Sequence, residues 1–199
     1  MEKKMRSITY NKLDNLYKKS KGYISTQTLL EEGFTNRQIA LLIDENYLEK
    51  VCHGYYWLLR SGYHKPNDYK CIEVCLSNPR AVISMESACY YQGVGKTEPE
   101  ILTVATERTD RSIMKMNFPI KRHYFSGNYF NIGIKRVQRE VGSYRIYAKE
   151  RSICDIIRLD TEDSDNPFVV EVVDSIKQKE EQYKRMLKYA ELFKLKSLP

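Results

Sequence analysis

The chain has 199 residues, of which 42% are hydrophobic and 30% charged, and its formal net charge is +7. That composition excludes a disordered chain, and the length allows a buried core in one domain or in a small domain plus a medium one. With no apolar run near 18 residues and no secretory pattern after Met1, a cytoplasmic protein without membrane partners is expected.

Residues 7–19 carry Leu13, Leu16 and Tyr17 at helical spacing, and Lys18-Lys19-Ser20-Lys21-Gly22 reads as the stop. Tyr23-Ile24 is a short extended piece. Ser25 or Thr26 then caps a brief helix ending at Gly33. Thr35-Asn36-Arg37-Gln38 has the spacing of a capping box, with Phe34 placed to staple onto Ile39 or its neighbours. The helix it starts runs to about Glu45. Ile39, Leu42 and Ile43 share one face, and Arg37, Ala40, Leu41 and Asp44 lie opposite. A leucine on an outer face calls for a partner. Tyr47 to Val51 and Tyr55 to Leu59 flank Cys52-His53-Gly54 and read as a two-stranded hairpin. Helix, short helix, tight turn, helix, hairpin is the order of a winged helix-turn-helix.

Ser61 to Asn67 holds Gly and Pro in a polar stretch and reads as a boundary, giving domains at 1–62 and 63–199. Beyond it come a helix from Asp68 to Leu76, a strand at Ala81–Ile83, and a helix from Ser84 to Gly93. Strands follow at 101–106, 120–125, 132–137 and 144–148. Ser152 is expected to cap a helix, 160–167 is a polar loop, and helices at 168–179 and 181–195 close the chain. The fold class expected is α+β: an N-terminal winged helix-turn-helix and a larger mixed domain with C-terminal helices.

Charge is uneven along this order. Residues 108–158 carry 12 basic and 4 acidic side chains, while the segments on either side are each net negative. Such a block attracts polyanions, nucleic acid first. Its candidate contacts are Arg108, Arg111, Lys115, Lys121, Arg122, Lys135, Arg136 and Arg139. In the N-terminal module the residues that would reach base edges are Thr35, Asn36, Arg37, Gln38 and Leu41. Asn and Gln pair with adenine, Arg with guanine, and Leu41 meets a thymine methyl. Thr35 is already spent on the cap. Lys50 and His53 on the hairpin, and Lys18, Lys19 and Lys21, would bind phosphates, as would Lys3, Lys4 and Arg6. Tyr124 and Tyr129, beside Lys121, Arg122 and His123, are weaker candidates for stacking on bases.

Catalytic readings fail. Gly93-Val94-Gly95-Lys96-Thr97 resembles the end of a P-loop, but Tyr90 stands where its first glycine belongs and the preceding segment reads as helix. Asp160, Glu162, Asp163 and Asp165 lack EF-hand spacing. Five cysteines (Cys52, Cys71, Cys75, Cys89, Cys154) and three histidines give no zinc spacing and no clear general base. The expectation is no catalytic residue, no metal and no cofactor, with the cysteines reduced and mostly buried.

The chain resembles, over nearly its full length, the AbiEi family of type IV toxin–antitoxin antitoxins. The resemblance rests on Tyr23-Ile24-Ser25-Thr26, Gly33-Phe34-Thr35-Asn36-Arg37-Gln38-Ile39, Leu48-Glu49-Lys50-Val51 and Gly54-Tyr55-Tyr56. It continues through Ile83-Ser84-Met85-Glu86-Ser87-Ala88 with Gly93, and Lys149-Glu150-Arg151-Ser152-Ile153-Cys154-Asp155. It implies a winged-helix repressor that binds repeats in double-stranded DNA of its own promoter, two copies to a promoter. It also implies an antitoxin domain, in a phage-defence (abortive infection) setting, that antagonises a nucleotidyltransferase-like toxin without a stable complex. Two other readings remain: an RNA- or toxin-binding regulator, and a nuclease targeted by the winged helix.

Overall fold

The computed structural model describes residues 7–159 and 167–195. Lys3, Lys4, Arg6 and the acidic residues from Asp160 to Asp165 lie outside the described residues. The fold is α+β, and it divides into two compact units. One comprises residues up to 79 with segments 113–117 and 138–143, and the other holds the remainder.

The first unit opens with α1 (Ser7–Ser20), β1 (Tyr23–Ser25), α2 (Thr26–Glu31) and α3 (Asn36–Asp44). The hairpin β2 (Leu48–Cys52) and β3 (Tyr55–Leu58) follows, then α4 (Tyr69–Ser77). Lys21 and Gly22, both at positive φ, turn the chain out of α1, as the glycine signal predicts. Ser25 caps α2 by accepting from the Thr28 amide. The strand β3 lies between β1 and β2 and pairs antiparallel with both, aligning Tyr23 with Trp57 and Glu49 with Trp57. Leu13, Leu16, Ile24, Leu29, Phe34, Ile39, Leu42, Leu48 and Leu58 form one buried cluster under this sheet and the three helices. Each such side chain contributes about 1.5–3 kcal/mol by leaving water.

Gly22 shows how tightly the turn is set. A Cβ there would fall 2.6 Å from the Trp57 ring, and φ is +120°. Trp57 is buried and packed edge-on against Tyr17 and Tyr23, so it has no room to yield. Gly22→Ala should therefore lower stability by about 1–2 kcal/mol in urea unfolding. An unchanged midpoint would show that the turn relaxes freely.

The sequence boundary at 62/63 falls inside this unit, which takes in α4. Its Glu73 is buried and bridged by Lys65 at 2.7 Å, which also reaches Glu49 at 2.7 Å. Burial pushes the Glu73 carboxyl above the usual carboxylate range against the pull of Lys65.

The second unit contains β4 (Val82–Ile83), α5 (Met85–Tyr90), β5 (Leu102–Glu107), β6 (Ile120–Phe125), α6 (Gly127–Phe130), β7 (Ile134–Arg139) and β8 (Gly142–Tyr147). The helices α7 (Lys149–Leu159), α8 (Pro167–Lys177) and α9 (Glu180–Leu192) complete it. The tip of the β7–β8 hairpin, residues 138–143, groups with the first unit. The sheet order is β6-β5-β4-β8-β7, with β5–β6 and β4–β8 parallel and β4–β5 antiparallel. Helices α5, α7, α8 and α9 share a core of Met85, Cys89, Ile153, Ile156, Val172, Val173, Ile176 and Met186.

Ser152 does not cap a helix. The helix begins at Lys149, and Ser152 is inside it, buried and without a side-chain partner. All five cysteines are buried, and burial pushes the Cys154 thiol up to about 12. Among the described residues no helix is long and apolar enough to cross a membrane, and no cluster of His, Cys, Asp or Glu could hold a metal ion.

Candidate nucleic-acid interface

The candidate interface centres on α3. Its capping box is complete: Thr35 Oγ1 accepts from the Gln38 amide at 3.2 Å, and Gln38 Oε1 accepts from the Thr35 amide at 2.8 Å. Ile39 and Leu42 are buried while Asn36, Arg37, Ala40 and Leu41 are exposed, Leu41 by 50%. The outward face of α3 thus combines an amide, a guanidinium and an apolar side chain. The box has a second consequence. Gln38, expected to read a base, spends its carbonyl oxygen on the cap, leaving its amide N–H groups and, beside them, Asn36 and Arg37.

The β2–β3 hairpin supplies the second element. Gly54, at φ +81°, makes its turn, and the pairing slips register between Lys50 and Cys52, a bulge that bends the tip. Lys50 and His53 are both exposed there. Segment 113–117 comes against this tip, with Asn117 Nδ2 donating to the Lys50 carbonyl at 2.7 Å. Lys50, His53, Lys115 and Asn117 line one concavity of about 280 Å³. Lys115 and Arg139 group with the first unit. Asn117 was not anticipated, because the contact spans 67 residues and leaves no local signal.

The lysines at the end of α1 and in the turn after it are held by acids of their own unit. Lys18 pairs with Asp14 at 2.9 Å, Lys19 with Glu32 at 4.0 Å and Lys21 with Glu140 at 4.0 Å. All three stay mostly exposed, and surface pairs of this kind contribute at most about 1 kcal/mol, so a phosphate can compete for them.

The basic block is not one patch. Lys121 and Arg122 lie on β6 and Lys135 and Arg136 on β7, the two opposite edges of the sheet. Four strand spacings separate these edges, roughly 19 Å. Arg122 is also committed: it donates to Thr106 Oγ1 at 2.7 Å and pairs with Asp110 at 3.1 Å. Arg139 pairs with Asp68 at 2.6 Å. Charged edge strands discourage edge-to-edge pairing, which accounts for part of the block without any ligand. Arg108, Arg111, Lys121 and Lys135 are exposed.

No protein-family model matches the chain, and no curated protein does. Among solved structures it is similar to the crystal structure of RV2827C protein from Mycobacterium tuberculosis. The two share 12% identity with a TM-score of 0.62, over 93% of this chain and 72% of that one. At that identity the likeness concerns the fold alone.

Proposed function

We propose that this protein is a DNA-binding repressor whose residues 1–62 act as a winged helix-turn-helix, with α3 as recognition helix and the β2–β3 hairpin as wing. The observation that carries this reading is the split of α3: a buried apolar face holds it in place, and Asn36, Arg37 and Leu41 stand exposed beside an N-terminus whose cap is internally satisfied. A helix so held can enter a major groove and present those residues to base edges. Lys50, His53 and Lys115 lie together at the hairpin tip, where they would meet the phosphate backbone.

We infer from the AbiEi resemblance that the DNA is the protein's own promoter, bound at repeats by two copies. The second unit would then act as antitoxin against a nucleotidyltransferase-like toxin without a stable complex. The reading is non-enzymatic and needs no cofactor. A reporter fused to the chain's own promoter tests it: co-expression should repress the reporter, and Arg37→Ala should relieve repression. Co-expression with the adjacent gene should restore growth if that gene encodes the toxin. A reporter indifferent to the protein would overturn the repressor reading.

Reversing the wing charges separates positioning from reading. Lys50→Glu with Lys115→Glu should weaken binding severalfold on promoter and random duplex alike, and lower the salt slope by about two. Loss confined to the promoter would mean that these lysines read sequence instead.

A further inference from the structure

The second unit holds a cavity that the DNA-binding reading does not use. It is about 400 Å³, within the range of small-molecule sites, and is lined by Arg108, His123, Tyr124, Phe125, Tyr129 and Arg158 among others. Two guanidinium groups and an imidazole there stand among four ring-bearing or apolar walls, a combination suited to a ligand that is anionic at one end and planar at the other.

Arg158 is the informative residue. Its guanidinium lies 5.5 Å from the Phe125 ring, 5.5 Å from Tyr129 and 5.0 Å from Phe193, so stacking fixes its direction. Asp155 accepts from the Arg158 Nη2 at 2.9 Å, and Nε is buried with no partner among the described residues. The Arg158 side chain is 23% exposed, so it reaches the cavity, and a buried guanidinium N–H with no partner is unusual, because such groups are normally satisfied. Asp155 itself is fully engaged: Arg151 donates to its other oxygen at 3.1 Å. One carboxylate is thus shared by two arginines, which leaves the cluster with an excess of positive charge.

The remaining positions complete the site. Arg108, at the end of β5, is exposed and its backbone is tied to Phe125 at 2.8 Å, which fixes where the side chain starts. His123 is stacked on Phe125, and Tyr124 is 53% exposed. Glu107, at the end of β5, is directed at Gly127.

We propose that this cavity binds a nucleotide, with the phosphate held between Arg108 and Arg158 and the base against Tyr124 and Tyr129. Guanidinium groups suit phosphate through paired N–H donors, and aromatic faces accept any base. The same chemistry arrives either as a free mononucleotide or as the 5′-phosphorylated end of a single strand. This site is independent of the DNA-binding reading, because all its residues belong to the second unit.

Calorimetric titration of the full chain with AMP, GMP, CMP and UMP tests it, with adenosine and inorganic phosphate as controls. Saturable binding of the mononucleotides is expected, stronger than that of either control. Arg108→Ala and Tyr124→Ala, both at exposed positions where folding is preserved, should each weaken it about tenfold. A 5′-phosphorylated trinucleotide that binds more tightly than AMP would assign the site to a strand end, and equal affinity would assign it to the free nucleotide. Absence of binding by every phosphate-bearing probe, or affinity unchanged in both variants, would overturn the proposal. So would inorganic phosphate binding as well as AMP does.

Discussion

Replacing Arg151 with methionine is expected to destabilise the protein by about 3–5 kcal/mol. Arg151 is completely buried. It donates to Asp155 at 3.1 Å and to the carbonyls of Ile132 and Phe130, and its guanidinium lies 3.5 Å from the centre of the Tyr147 ring. Removing it strands a buried carboxylate and two backbone acceptors at once. Arg158 remains on Asp155 and limits the loss, which keeps the variant measurable.

The pH dependence of that loss has a definite sign. Burial raises the Asp155 carboxyl above its ordinary value of 3.8, while Arg151 pulls it down. A carboxyl raised in the folded state binds protons that the unfolded chain has released, so its contribution falls as pH rises from 3.8 through the folded value. Without Arg151 that window extends upward. The penalty of Arg151→Met should therefore be smaller at pH 5 than at pH 7 in chemical unfolding. Adding Asp155→Leu should recover part of the loss, since a pair replaced by apolar groups costs less than a pair broken. Equal penalties at both pH values, with no recovery in the double variant, would show that Arg151 acts by packing alone.

Arg37→Ala carries the second large effect. A bidentate contact between arginine and a guanine contributes about 1–3 kcal/mol of discrimination, so promoter affinity should fall roughly tenfold to a hundredfold while random-duplex affinity changes far less. Arg37 makes no contact that the fold requires, being exposed on the outer face of α3, so stability should be unaffected. Gln38→Ala should instead lose stability, because its side chain closes the capping box. An Arg37→Ala variant that weakens both duplexes equally would make Arg37 a phosphate contact.

These effects follow features that were unequally visible in the sequence. The Thr35–Gln38 box, the Gly22 and Gly54 turns and the face of α3 are local: their spacing suffices to place them, and they stand where the spacing puts them. Strand order is not local. Lys121 and Lys135 belong to one basic stretch of the chain but fall on opposite edges of one sheet, because β5, β4 and β8 insert between their strands. A run of charge therefore predicted one basic surface where the fold makes two. Ser152 has the residue type of an N-cap, but the preceding Lys149, Glu150 and Arg151 are already helical. The Arg151–Asp155 pair is local, four residues apart on α7, but the pairing of Glu150 with Arg185 at 2.9 Å spans 35 residues and leaves no local signal for why charged residues can begin a buried helix. The Asn117–Lys50 contact was illegible for the same reason.

The most direct measurement is a gel-shift competition in which the protein bound to labelled promoter DNA is challenged with unlabelled promoter or random duplex at two salt concentrations. If α3 reads bases, unlabelled promoter displaces the label at far lower concentration than random duplex. That preference should persist at the higher salt and shrink roughly tenfold to a hundredfold in Arg37→Ala. If both competitors displace the label equally at either salt, α3 does not read sequence, and the proposed repressor function is contradicted.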